Sequence, residues 1–144
     1  MNNELYRIVY CSRNLMVGTA ATDSHDAELQ QILRSAREKN AAASVTGALL
    51  FNDEYFAQVL EGPRLAVEAV FERIQRDRRH SQVTVVENGW AATRDFPDWA
   101  MAHAQPDEQT PPEGLAATLS LALIQPREAG GEVLDLLKSL VIAD

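Results

Sequence analysis

The chain holds 144 residues, with 13 Lys+Arg against 21 Asp+Glu and a formal charge of −8. That length suits one domain with a core and a short appendage, and the acidic balance excludes a general nucleic-acid binder, which needs basic surface to displace counterions. A lone Cys11 excludes an internal disulfide, Met1-Asn2-Asn3-Glu4 lacks the basic start of a secretory signal, and no stretch approaches the roughly 20 apolar residues of a membrane span, so a soluble, cytoplasmic protein is expected.

Residues 5–11 read as a first strand, rich in β-branched and aromatic residues. Alternation puts Tyr6, Ile8 and Tyr10 on one face and Arg7, Val9 and Cys11 on the other. A loop follows. Asp23-Ser24-His25-Asp26 then offers helix-capping side chains, and Leu29, Ile32, Leu33 and Ala36 recur at helical spacing over residues 26–39. Asn40 reads as the stop of that helix. Residues 45–51 and 55–60 read as two strands joined by Asn52-Asp53-Glu54. Gly62-Pro63 breaks the second of them and opens a helix, whose apolar stripe is Val67, Val70, Phe71 and Ile74. Arg76-Asp77-Arg78-Arg79-His80 closes it with positive charge. Residues 83–86 form a fourth strand and residues 99–105, behind Phe96-Pro97, a fifth.

The order βαββαββ predicts an α+β, ferredoxin-like sandwich: a five-stranded mixed sheet with two helices on one face. The composition changes after Pro106, so residues 1–105 are expected to form the ligand-binding domain and 106–144 a linker and two-helix extension. The two helices, 115–124 and 132–142, are separated by Pro126 and Gly130-Gly131. Leu134, Leu137, Leu140 and Val141 form a stripe on the second. Such short helices are marginal alone, so they should pack as a hairpin on the open sheet face or on another subunit.

No zinc spacing, Walker loop, dinucleotide fingerprint or Gly-x-Ser-x-Gly elbow is present, and His25, His80 and His103 lie far apart. Glu61 and Asp77 carry no mark of a catalytic pair. Enzyme chemistry of the usual hydrolytic or transfer kinds is therefore not expected. The informative residues are polar ones in apolar surroundings. Gln58 shares a strand face with Phe56 and Leu60, and an unpaired buried amide costs roughly 1–3 kcal/mol. Something buried must meet it. Tyr10 and Asn40 stand in similar settings, and Trp99 and Met101 share a face of the fifth strand.

Five ordered blocks resemble the BLUF family of flavin-based blue-light sensors. They are Ile8-Val9-Tyr10-Cys11-Ser12-Arg13, Asn40 with Val45-Thr46-Gly47-Ala48-Leu49-Leu50-Phe51, Phe56-Ala57-Gln58-Val59-Leu60-Glu61-Gly62, Ile74-Gln75-Arg76-Asp77-Arg78-Arg79-His80, and Phe96-Pro97-Asp98-Trp99-Ala100-Met101. The resemblance spans residues 5–105, and the tail is similar to that of short, single-domain members. It implies a flavin ring held between the two sheet-facing helices, FAD by family habit, with FMN or riboflavin as substitutes. Tyr10 matches the tyrosine that gives an electron and then a proton to the excited flavin. Gln58 matches the glutamine bridging that tyrosine to flavin N5 and O4. Asn40 matches the asparagine at the ring's carbonyl edge, Ser35 a serine near the flavin, and Ile32 and Ile74 the aliphatic residues flanking the ring. Arg79 and His80 match a basic pair near the ribityl phosphate. Trp99 and Met101 match the fifth-strand pair that reports the signal, implying a route from Gln58 to the tail. The chain departs from the pattern at Lys39, where members often carry Asn or His, and in the less polar Ala41-Ala42-Ala43-Ser44. Output would pass by protein contact to a partner of unknown identity, with self-assembly expected from the apolar tail. The rival readings are a flavin-free interaction module and a small flavoenzyme.

Overall fold

The computed structural model describes residues 5–15, 22–51, 55–96, 101–104 and 112–140. Its elements are β1 (Leu5–Asn14), α1 (Thr22–Ala43), β2 (Thr46–Phe51), β3 (Tyr55–Gly62), α2 (Arg64–Gln75), β4 (His80–Ala91), β5 (Ala102–Ala104), α3 (Pro112–Ile124) and α4 (Pro126–Leu140). The four long strands are antiparallel neighbours in the order β4-β1-β3-β2, and the three-residue β5 runs parallel beside β2.

Alternation along the strands divides the core into two layers. Tyr6, Ile8, Leu49, Phe56 and Leu60 face the helices and pack with Leu33, Val67 and Val70. Val9, Cys11, Ala48, Leu50, Ala57 and Val59 face the other way and pack with Leu119, Ala122, Val133 and Leu137. The tail helices thus lie on the open sheet face. Burial pushes the Cys11 thiol up to about 12, so it is an inert core residue on the face covered by α3 and α4.

Several boundaries differ from expectation. α1 does not stop at Asn40, because Ala41-Ala42-Ala43 are strong helix formers and extend it by most of a turn. Ser44 then adopts φ 63. Ser44 N–H donates to the Ala41 carbonyl at 3.3 Å and Val45 N–H to the Asn40 carbonyl at 2.9 Å, the paired bonds of a Schellman ending. β4 is twelve residues rather than four, since it pairs along most of β1 with two register shifts. His80 begins β4 instead of ending α2, which closes at Gln75 with Arg73 in its last turn. Gly130-Gly131 do not separate the tail helices. They lie within α4, which starts at Pro126, a position where proline is tolerated. Two helical glycines cost about 1 kcal/mol each, and burial of Val133 and Leu137 outweighs that. The linker residues 105–111 and most of the predicted fifth strand, including Trp99, lie outside the described residues.

A buried carboxylate organises one end of the sheet. Glu61 is fully buried on β3 and directly opposite Arg7 on β1. Arg7 Nη2 donates to Glu61 Oε2 at 2.9 Å. The backbone N–H groups of Asp95 and Phe96 also donate to the carboxylate, at 2.8 and 3.0 Å. Glu61 therefore pins the segment after β4, which is a structural role. Gly47 allows the close pairing of β2 with β3: a Cβ there would fall 1.9 Å from the Val59 carbonyl oxygen. No helix among the described residues is long and apolar enough to cross a membrane.

Candidate functional site

Tyr10 and Gln58 are cross-strand partners. Such neighbours hold their Cβ atoms about 4.5–5.5 Å apart on one face, so the register alone brings phenol and amide together. The Tyr10 hydroxyl donates to Gln58 Oε1. Gln58 Nε2 donates to Met101 Sδ at 3.3 Å. Met101 precedes β5, and Arg37 of α1 donates to its carbonyl at 3.0 Å. All three site side chains are buried. A thioether is a weak acceptor, and a carboxamide has two N–H donors and two lone pairs. Among the described residues, Gln58 therefore keeps hydrogen-bonding capacity unspent in a buried place. Burial holds the Tyr10 phenol far above its ordinary range, with smaller contributions from Cys11 and Asp77. Tyr10 is thus a neutral hydroxyl donor at any physiological pH.

Above this pair lies a cavity with about 800 Å³ of atom-free space, its open mouth included. Tyr10, Leu49, Phe56 and Gln58 form its floor on the sheet. One wall is α1, through Ile32, Ser35, Ala36, Lys39 and Asn40; the other is α2, through Val70, Arg73 and Ile74. These positions follow the i, i+3, i+4 spacing that puts residues on one helix face. Asp77, Arg79 and His80 complete the lining. A slot with aliphatic side chains on facing walls, one amide at its base and another on the α1 wall fits a flat, partly apolar heterocycle with carbonyl and imine edges.

The basic pair at the α2 end has internal partners. Arg79 Nη2 meets Asp77 Oδ2 at 2.5 Å, and Arg79 Nε meets Asp77 Oδ1 at 2.9 Å. This bond holds the Asp77 carboxyl below its usual range. His80 lines the cavity, with its ring steeply inclined to those of Tyr10 and Phe56. Its Nε2 is 2.7 Å from the Ile74 carbonyl oxygen and its Nδ1 is 2.8 Å from Ser12 Oγ. A carbonyl only accepts, so Nε2 carries a proton; in the neutral ring Nδ1 then accepts from Ser12.

Of the site residues expected from sequence, Tyr10, Ile32, Ser35, Asn40, Gln58, Ile74, Arg79 and His80 all line this one cavity. Met101 reaches it through Gln58, and Trp99 lies outside the described residues. Sequence reasoning passed over Arg73 and gave Lys39 and Asp77 no role. A signal was available for two of them: Lys39 follows Ile32, Ser35 and Ala36 on one face of α1, and Arg73 lies with Val70 and Ile74 on one face of α2.

Residues 5–102 match the family model described as BLUF, sensors of blue-light using FAD. The chain belongs to the BLUF family. Among BLUF relatives, the photoactivated adenylate cyclase subunit beta of Euglena gracilis is 40% identical over 78 residues, which cover 54% of this chain and 9% of that protein. The chain therefore spans less than a tenth of that curated relative. The dark-state structure of BlrB, a BLUF protein, is 30% identical with a TM-score of 0.68, covering 95% of this chain and 94% of its own. Klebsiella pneumoniae BlrP1, solved with FMN and cyclic diGMP, is 26% identical with a TM-score of 0.65, covering 84% of this chain and 35% of its own.

Proposed function

We propose that this chain is a cytoplasmic blue-light photoreceptor rather than an enzyme. It holds one flavin non-covalently between α1 and α2 and signals through the hydrogen bonds of Tyr10 and Gln58. The observation that carries this reading is the buried amide of Gln58, which accepts from Tyr10, donates to Met101 and lines the cavity between α1 and α2. FAD is the flavin proposed first, from the family description; FMN or riboflavin can fill the same slot. A bound flavin supplies blue-light absorption and, when excited, a strong one-electron oxidant.

With flavin bound, Tyr10 would give the excited ring an electron and, along its bond to Gln58, a proton, and would take both back as the ring relaxes. The amide would then exchange its acceptor and donor ends, so that a donor replaces an acceptor opposite the ring carbonyl. Asn40 holds the carbonyl edge, and Ile32 and Ile74 flank the ring and exclude water. Blue light should give a small red shift that reverses thermally in the dark. In Tyr10→Phe the shift should vanish and flavin fluorescence should persist longer, because the fast quencher is gone. A parental lifetime and shift in that variant would refute the role of Tyr10.

The assigned architecture is the ferredoxin-like sandwich, with β5 as its fifth strand, over residues 1–105 and a two-helix extension over 106–144. Output is proposed to pass by contact to a partner protein or a second copy. One route to the tail runs through β3: Glu61 holds Asp95, and Asp95 Oδ1 is 3.7 Å from Lys138 Nζ on α4. Hydrogen exchange of α4 should change under illumination. Identical exchange in dark and light, with a normal photocycle, would rule this route out.

A further inference from the structure

We infer that Lys39 and Arg73 form a two-cation clamp at the cavity mouth that selects flavins bearing a ribityl phosphate over riboflavin. This rests on the proposed flavin site and names the chemistry that site prefers.

A phosphate entering a protein of charge −8 meets net repulsion at long range, so attraction must come from nearby cations. The obvious pair is already engaged. Arg79 is forked onto Asp77, and His80 uses both ring nitrogens on Ser12 and Ile74. Lys39 and Arg73 remain. They stand on opposite walls of the same cavity, one residue before Asn40 and Ile74 respectively. Both are exposed at its edge, and among the described residues neither side chain has a hydrogen bond or ion pair. With Asp77 cancelled by Arg79, these two are the surplus charge of the lining. They are also near the C-terminal ends of α1 and α2, whose dipoles present negative charge. An anion could not settle there without such cations. The same dipoles provide the plain alternative, in which Lys39 and Arg73 only stabilise their helices; that role would not distinguish one flavin from another.

The test equilibrates the purified full chain with equal FMN and riboflavin, removes free flavin by gel filtration, and measures the retained ratio by chromatography. The parent should retain FMN over riboflavin by about tenfold or more at low salt. The preference should shrink in 0.5 M NaCl, since contacts at a solvent-facing mouth are screened. Lys39→Gln with Arg73→Gln should bring the ratio within about twofold of unity, chiefly through loss of retained FMN. Lys39→Arg should keep the preference. Equal retention of both flavins by the parent overturns the clamp alone, as does an undiminished preference in the double variant. Retention of neither flavin by the parent overturns the clamp together with the flavin site.

Discussion

Gln58→Leu is expected to retain flavin and to lose the light-induced red shift entirely. Leucine nearly matches the glutamine in volume, and its neighbours Leu49 and Tyr10 on the facing strands tolerate an apolar side chain. What disappears is the only group among the described residues that accepts from the Tyr10 hydroxyl. Leaving that buried hydroxyl without its partner costs about 1–3 kcal/mol, so the midpoint of urea unfolding should fall while the fold persists. Tyr10 can still quench the flavin in this variant, because electron transfer needs contact rather than the amide. The pair of outcomes separates the two roles: fluorescence stays short, and the red-shifted state is absent. A Gln58→Leu protein with the parental shift would show that another group faces the ring carbonyl.

Glu61→Ala is expected to destabilise the fold by about 3–5 kcal/mol, the usual cost of breaking a buried ion pair at one end. Arg7 would lose its main counter-ion in a largely buried setting, since its side chain is only 14% exposed. Two backbone N–H groups, of Asp95 and Phe96, would lose their acceptor. Phe96 is itself a core residue, so the loop and the tail-side core would loosen together. Arg7 keeps a second partner in Asp95 at 2.8 Å, which limits the loss. Glu61→Gln should fall between parent and Ala, because one carboxamide oxygen can still accept. Urea unfolding of the three proteins measures the series. A change under 1 kcal/mol for Glu61→Ala would mean that the carboxylate is not the organising contact described above.

Much of this architecture was legible from the residue pattern, and the exceptions have physical causes. β1 and β3 alternate cleanly because each face packs against a different layer, so Tyr10 and Gln58 stood out as polar residues on an apolar face. β4 was underestimated because, at the sheet edge, its second half carries Glu87, Asn88 and Gly89, which satisfy no alternation rule. Pairing with β1 outweighs that local preference. Gly130-Gly131 misled for the same reason in reverse: local propensity pointed to a break, and burial of one α4 face decided otherwise. Arg79 and His80 were located correctly at the cavity, but their partners were not legible. Asp77 is two residues from Arg79, while Ser12 is 68 residues from His80. A spacing of that size leaves no trace in a single sequence.

The seating of α3 and α4 limits how a lit state can act. Prying the hairpin away would return Leu119, Val133 and Leu137 to water, at roughly 1.5–3 kcal/mol for each. Rewiring one amide changes hydrogen-bond energy by about 0.5–1.5 kcal/mol. A trigger of that size is too weak to evict its cover, so if the proposed signal reaches α3 and α4 it would tilt or slide them rather than release them. On that reading, a downstream protein would have to recognise a small change of posture in a docked element.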